Sequence, residues 1–112
     1  MTTFRVYEDS LIMIEEVREY RVEIAKDDPE QATQLRRAAK SVAYNIAEGR
    51  GARGRNQQAK YAIALSEARE TLTNLEVAVA DGIIEGIDEV LRNRLNRIIG
   101  SLVKLSRASR QQ

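Results

Sequence analysis

The stretch Asn56–Gly82, NQQAKYAIALSEARETLTNLEVAVADG, decides the fold of this chain. Its seam positions follow steps of three and four residues, the spacing of one helix face, and all but Gln58 are apolar. These positions are Gln58, Tyr61, Leu65, Ala68, Leu72, Leu75 and Val79. Asn56 is typical of an N-cap, and Asp81 followed by Gly82 is typical of a helix end. The pattern predicts an amphipathic helix over residues 56–81.

Apolar side chains recur with the same period in three other segments, residues 4–26, 29–48 and 88–109. Their stripes comprise, in chain order, Leu11, Ile14, Val17 and Ile24; Leu35, Ala39, Val42 and Ile46; and Leu91, Leu95, Ile98, Leu102 and Leu105. Four such helices with short connections predict an all-α protein, an antiparallel up-and-down four-helix bundle that forms one domain over residues 1–112. Further apolar residues lie off the stripes and predict a second buried face, which a homo-oligomer would supply. They are Ile12, Met13, Val22 and Ile63.

Local signals predict the ends of the second helix. Asp28 supplies an N-cap, and Pro29 suits the first helical position. Gln31 has the spacing that completes a capping box with Asp28. Gly49 and Gly51 are expected to stop the helix, because glycine readily takes the left-handed conformation at a helix C-terminus.

The composition excludes several classes of chemistry. The chain has 112 residues, enough for one small domain, and contains no Cys and no His. Disulfides, Cys/His zinc sites, imidazole acid–base catalysis and Ser-His triads are therefore excluded. The chain has no run of about 18 apolar residues, and its first residues, MTTFRVYEDS, lack the pattern of a signal peptide. We expect a cytoplasmic protein that does not enter a membrane.

Charge alternates in four blocks along the chain, although the net charge is only +1. Residues 5–30 carry −5, residues 34–60 carry +6, residues 61–89 carry −6 and residues 90–112 carry +6. Each block coincides roughly with one predicted helix, so every helix of the bundle would lie between neighbours of opposite sign. Such internal pairing competes with nucleic-acid binding as the explanation of the basic residues.

The stretch QLRRAAKSVAYNIAEGRG, residues 34–51, resembles the signature of the bacterial four-helix bundle family known from intervening sequences in 23S rRNA genes. The matching positions are Leu35, Arg36, Arg37, Ala38, Ser41, Asn45, Ile46, Ala47, Glu48 and Gly49. Residues 68–76, ARETLTNLE, are similar to a second motif of the family, which has Gly and Glu in place of Glu70 and Asn74. The resemblance covers nearly the whole chain.

The resemblance implies an assembly and a set of partners. Members of the family look like pentameric rings, similar in form to the accessory proteins of diversity-generating retroelements, which bind nucleic acid and a reverse transcriptase. By resemblance we expect a homo-pentamer with no enzymatic activity and no cofactor. Its expected partners are RNA or DNA, or a protein such as a reverse transcriptase. A purely structural protein–protein interaction module is the alternative.

Seven basic residues form the predicted nucleic-acid-binding surface. They are Arg36, Arg37, Lys40, Arg50, Arg53, Arg55 and Lys60. The segment GRGARGR, residues 49–55, is predicted to be an exposed basic loop that could hold phosphate at the N-terminus of the third helix. Its glycine spacing also fits a dinucleotide-binding turn, but that motif needs a preceding strand. The basic C-terminal tail, which contains Arg110, is the other segment expected to meet a polyanion.

Four polar residues are predicted to form a structural network, Asn45, Glu48, Arg69 and Glu76. Asn45 and Glu48 are three residues apart and share one side of the second helix. A half-buried Arg that meets a carboxylate and an amide would fix the register between helices. We expect a structural role for this group.

Two acidic pairs raise the possibility of an enzyme. Glu67 with Glu70, and Glu85 with Asp88, have the i, i+3 spacing of the magnesium motif in all-α nucleotide pyrophosphohydrolases. The second pair falls in a connector that contains Gly86, where Asp88 is expected to cap the last helix. Di-iron bundles need His, which the chain lacks. We therefore expect no catalytic or metal-binding residues and keep magnesium-dependent nucleotide hydrolysis as the distant alternative.

Overall fold

The computed structural model describes residues 3–108, and these residues form four helices. The helices are α1 (Thr3–Asp27), α2 (Pro29–Arg50), α3 (Gly54–Ala80) and α4 (Glu89–Ala108). The molecule measures 46 × 24 × 20 Å, and α3, with 27 residues, is about 40 Å long at 1.5 Å per residue. The helices therefore run along the long axis of the molecule, and the described residues have the predicted all-α fold. Arg110 and the rest of the tail lie outside the described residues.

The helices pack in a ring, each on the next along the chain and α4 back on α1. A single residue, Asp28, separates α1 from α2, and residues 51–53 separate α2 from α3. Connections this short force neighbouring helices to run antiparallel. The result is the predicted up-and-down four-helix bundle. Within the part of the chain that the structure describes, no helix is both long and apolar enough to span a membrane.

The core agrees with the predicted stripes in α2 and α4 and departs from them in α1 and α3. The four stripe residues of α2 are buried, and so are those of α4 except Leu105, which is partly buried. In α1, Met13 is buried whereas Leu11 is 42% exposed. In α3, Leu65 and Leu72 are only partly buried. Small residues of α3 are fully buried instead, namely Ala64, Thr71 and Ala78.

The start of α2 confirms the predicted cap and corrects the capping box. The backbone N–H of Gln31 donates to Asp28 Oδ1 at 3.0 Å. The Gln31 side chain does not return to the cap. Its Nε2 donates to the backbone oxygen and Oδ1 of Asn74 on α3, at 3.1 and 3.3 Å, and Asn74 Nδ2 donates to the Gln31 carbonyl at 3.3 Å. These reciprocal hydrogen bonds join α2 to α3, and the two residues that make them are 43 positions apart in the sequence.

The turn between α2 and α3 is shorter than the predicted basic loop. Gly49 is helical and buried, so α2 runs on to Arg50. Gly51 caps α2 with φ −88°, which is not left-handed, whereas Gly54 has φ 57°. The third helix begins at Gly54, so the N-cap is Arg53, which makes no side-chain cap hydrogen bond, and the assignment of Asn56 was wrong.

The connector between α3 and α4 covers one end of the core. Ile84 is buried, and Ile83 and Ile87 pack against the same cluster. The backbone N–H of Asp88 donates to Tyr20 Oη at 2.8 Å, which ties the connector to α1. Asp88 Oδ1 accepts from Val90 N at 3.5 Å, and this confirms the cap of α4.

Candidate nucleic-acid interface

The seven predicted basic residues fall into two groups at different levels of the bundle. Arg36, Arg37 and Lys40 lie near the middle of α2. The other four, Arg50, Arg53, Arg55 and Lys60, surround the turn between α2 and α3. Thirteen residues of helix separate Arg37 from Arg50, which corresponds to about 20 Å. One compact site cannot contain both groups.

The first group is joined by two arginines of α1 that the sequence reasoning missed. Arg18 and Arg21 line a groove between α1 and α2 together with Arg36 and Lys40. Arg37 lines the adjoining hollow on the outside of α2. We call these five residues, Arg18, Arg21, Arg36, Arg37 and Lys40, the basic face. Arg18 and Arg21 were hidden because they belong to an acidic block, and only their spacing from Ile14 places them on the α2 side of α1.

The basic face is electrostatically uncompensated. None of its five cations takes part in an ion pair within residues 3–107. Burial lowers the pKa of Arg21, and the positive charges of Arg36 and Arg18 lower it further. Like charges held together without an acid create a positive potential, to which an anion would bind favourably.

Tyr44 lies at one end of this surface, one helical turn after Lys40. Its side chain is 63% exposed and lines two depressions, one on each side of it. The outer hollow, about 350 Å³, is also lined by Thr33, Arg36, Arg37, Lys40 and Ser41. The groove on the α1 side of Tyr44, about 360 Å³, is lined by apolar residues as well as by cations. The apolar residues are Tyr7, Leu11, Ile14, Ala43 and Ala47.

The second basic group is partly engaged within the molecule. The guanidinium of Arg50 lies over the rings of Phe4 and Tyr7, 5.5 and 5.8 Å from their centroids. Lys60 Nζ lies 3.4 Å from Glu48 Oε1. Arg53 and Arg55 are exposed at the start of α3, where the helix dipole is positive. This group therefore has less free charge than the basic face.

Three basic residues of α4, Arg92, Arg94 and Arg97, face acids of the neighbouring helices, as the alternating charge blocks predicted. Arg94 Nη1 donates to Asp9 Oδ1 at 2.9 Å, and Arg94 Nε donates to Glu16 Oε1 at 2.7 Å. Arg97 Nη2 lies 3.5 Å from the same Asp9 oxygen. On the other side of α4, Arg92 lies 3.4 Å from Glu76. Pairing within the bundle accounts for these cations, which distinguishes them from the basic face.

The four residues of the predicted polar network are not brought together. Asn45 Nδ2 donates to the backbone oxygen and Oγ of Ser41 on its own helix, at 2.9 and 3.0 Å. Glu48 meets Lys60, Glu76 meets Arg92, and Arg69 is exposed rather than half-buried. The contacts of Gln31 with Asn74 and of Glu48 with Lys60 fix the register between α2 and α3. In this register Arg69 lies about level with residue 39, which is roughly 9 Å from Asn45 along the helix axis.

The two acidic pairs also lie apart. Glu67 and Glu70 are in the middle of α3, whereas Glu85 and Asp88 belong to the connector that follows it. Eighteen positions separate Glu67 from Glu85, and thirteen of them are helical, a rise of about 20 Å. In residues 3–107 no three acidic side chains gather into a group that could hold a metal ion.

Comparison with known proteins places the chain in a family. The model of the 23S rRNA-intervening sequence protein family matches residues 2–104. A crystal structure of a protein of unknown function from the S23 ribosomal protein family of Bacteroides thetaiotaomicron superposes with a TM-score of 0.82 at 25% identity, over 96% of this chain and 99% of that one. No match to the chain was found among curated proteins. Together with the four-helix architecture, the match over residues 2–104 shows that this chain belongs to the 23S rRNA-intervening sequence protein family.

Proposed function

We propose that this protein is a non-catalytic RNA-binding module that acts as a homo-oligomer and contacts RNA through the basic face. The observation that carries the proposal is the contrast in pairing of its cations. In residues 3–107 the basic face has no acidic partner, whereas Lys60, Arg92, Arg94 and Arg97 each meet an acid of a neighbouring helix. Five uncompensated charges on a chain of net charge +1 are a local signal that the total conceals.

The composition of the basic face favours RNA as the ligand. Three of its five cations are within one turn of each other on α2, and four of the five are arginines, which suit the planar geometry of phosphate contacts. The exposed ring of Tyr44 adds a surface on which a base can stack. A protein partner with an acidic face would use the charges but would have less need of the ring.

Oligomer formation is supported by apolar side chains that the single chain leaves exposed. They include Phe4, Ile12, Val22, Ile63, Val77 and Val90. Phe4, Ile12 and Val22 all lie on α1, whose outer surface a second copy could cover. The expected number of five copies rests on the family resemblance alone.

Sedimentation of the protein with a fluorescent structured RNA, at about 50 and about 200 mM salt, tests both parts of the proposal. We expect a defined oligomer that carries RNA at the lower salt concentration. The triple variant Arg36→Gln/Arg37→Gln/Lys40→Gln should lower the slope of log affinity against log salt by about 2 to 3, because each lost phosphate contact contributes about 0.7–0.9.

A matched variant controls for net charge. Arg69→Gln/Arg92→Gln/Lys104→Gln removes the same charge from α3 and α4, away from the basic face, and should leave the slope nearly unchanged. Arg69 and Lys104 are exposed, and Arg92 is partly buried beside Glu76. The variant Arg50→Gln/Arg53→Gln/Arg55→Gln measures how much the turn between α2 and α3 contributes to the salt slope of RNA binding. An oligomer that ignores RNA at both salt concentrations would contradict the proposal and would favour the protein–protein interaction module.

A further inference from the structure

We infer that the basic face takes single-stranded RNA, with one unpaired base stacked on the ring of Tyr44 and the neighbouring phosphates on the cations around it. The inference rests on the proposed function and specifies the form of RNA that this face accepts. It is carried by the position of Tyr44, an exposed ring that stands between two depressions which share Arg36 and Lys40.

The cations near Tyr44 have a spacing that suits an extended strand. Lys40 lies one helical turn before Tyr44, and Arg36 lies one turn before Lys40, so the three positions follow each other at intervals of about 6 Å along α2. Arg18 and Arg21 run beside them on α1 and line the same groove. A strand that followed this groove would meet cations continuously while one of its bases reached the ring.

The apolar end of the groove distinguishes an unpaired base from a duplex. The apolar part of the lining consists of Tyr7, Leu11, Ile14, Ala43 and Ala47. Leu11 is exposed although it is large and apolar. In a duplex both faces of each base are covered by stacking, and the outer surface is phosphate and sugar, which gains nothing from an apolar wall. The face of an unpaired base gains from being removed from water by such a wall and by the tyrosine ring.

A second copy of the chain is the main competing occupant of Tyr44. An exposed tyrosine beside leucine is also typical of protein interfaces. The cations argue against this occupant, because a subunit interface over the groove would have to bury Arg18, Arg21, Arg36 and Lys40 together, which is costly without acids to pair with them. The experiment therefore follows assembly and RNA binding in the same variants.

Fluorescence anisotropy with a labelled oligouridylate of about 12 nucleotides and with a duplex hairpin of equal length tests the inference at about 50 mM salt. We expect the oligouridylate to bind more tightly. Tyr44→Ala should weaken its binding about 5- to 100-fold, as loss of one stacked base does, and should leave the affinity for the hairpin and the sedimentation coefficient unchanged. Tyr44→Phe should retain binding, and Thr73→Ala, at an exposed position of α3, serves as the control.

A second readout uses the absence of tryptophan from the chain. Tyr44→Trp introduces a single indole, whose emission should be quenched by the oligouridylate and not by the hairpin. Unchanged oligouridylate affinity in Tyr44→Ala, a wild-type preference for the hairpin, or a changed sedimentation coefficient would each overturn the inference and leave RNA binding by the basic face intact. If the wild-type protein binds neither RNA at low salt, the proposed function fails as well.

Discussion

The ring of Tyr61 packs directly on the backbone of Gly49: a Cβ added at residue 49 would lie 2.5 Å from Cε1 and 2.8 Å from Cδ1 of that ring. Both residues are buried, and Tyr61 is only 3% exposed. Gln57 reinforces the contact, because its Nε2 donates to the Gly49 carbonyl at 3.0 Å and to the Ala52 carbonyl at 3.1 Å. Gly49 is therefore required for its small size, which lets α2 and α3 approach closely, and not for ending the helix.

Gly49→Ala should destabilise the protein. A contact of 2.5 Å is shorter than real Cβ contacts, and the ring that would have to move is enclosed in the core, so relief requires a shift of α2 against α3. Overpacking of this kind costs about 1–3 kcal/mol. Urea denaturation followed by circular dichroism would measure the loss as a lower midpoint with an unchanged slope.

Gly100→Ala is the matched control for this substitution. Gly100 is also helical, in α4, but it is exposed, and a Cβ there would meet nothing within 4 Å. Because alanine favours the helix over glycine by up to about 1 kcal/mol, this variant should be more stable than the wild type. If both variants shifted the midpoint in the same direction, steric contact with Tyr61 would not be the reason for glycine at residue 49.

Arg94→Met should cost much more than removal of an exposed cation. The Arg94 and Asp9 side chains are 15% and 12% exposed, and the hydrogen bond to Glu16 is the largest effect that raises the pKa of Arg94 above its usual value. Removing one member of such a group leaves carboxylates buried without their main partner, at a cost of about 3 kcal/mol. Chemical denaturation would measure the loss.

Arg92→Met provides the comparison on the same helix. Its pair with Glu76 is 3.4 Å long and about half-exposed on both sides, and pairs of this kind contribute about 0–1 kcal/mol. If Arg94→Met alone does not fold, the double variant Glu16→Gln/Arg94→Met should recover part of the stability, since it removes the carboxylate that loses its partner, whereas Asp9 still meets Arg97. If Arg94→Met and Arg92→Met lowered the free energy of unfolding equally, the contacts of Arg94 with α1 would contribute nothing to stability in solution.

The sequence predicted the number, order and approximate bounds of the helices, because the period of apolar residues is a local property. It failed where packing selects small or polar side chains. Ala64 and Thr71 occupy the core face of α3 because their size permits close approach of its neighbours, while a hydrophobicity pattern selects the bulkier Leu65 and Leu72. In α1 the buried Asp9 and Ser10 interrupt the apolar stripe and conceal its true phase.

The candidate site was predictable only in part for a similar reason. Arg36, Arg37 and Lys40 are close in sequence, and their shared surface follows from helical geometry. Arg18 and Arg21 join them only through the packing of α1 on α2, and a charge sum over an acidic block hides them. The predicted network around Arg69 required the register between α2 and α3, which the Gln31–Asn74 pair fixes over 43 positions.

Glu67 should make stability depend on pH in an unusual direction for a carboxylate. Burial raises its pKa, and the charge of Glu70 raises it further. A raised pKa in the folded state means that the folded protein holds this proton more tightly than the unfolded chain does. The stabilisation is therefore complete at pH values below the unfolded pKa and is lost as pH rises through the folded pKa.

Glu67→Gln should accordingly raise the free energy of unfolding at about pH 7, by less than about 1 kcal/mol because the group is partly solvated. At about pH 3, where Glu67 is protonated in both states, the gain should vanish. Glu70→Gln should act in the same direction, since it removes the neighbouring charge. Thermal melts at the two pH values would measure both effects, and a gain that is larger at the acidic pH would show that the assignment has the wrong sign.

Arg21→Gln should separate the stability of the protein from its binding of RNA. Arg21 is charged at neutral pH, and burial together with Arg36 and Arg18 lowers its pKa, so its charge opposes folding. Removing that charge should raise the free energy of unfolding by about 0.3 kcal/mol, the size of a partly solvated like-charge contact.

The same change removes a cation from the proposed RNA surface and should lower the salt slope of binding by about 0.7–0.9. Residues kept for function often oppose stability in this way. A variant that melts at a lower temperature and binds RNA with an unchanged slope would indicate that Arg21 has a structural role and that the charges of the basic face are compensated in the assembled protein.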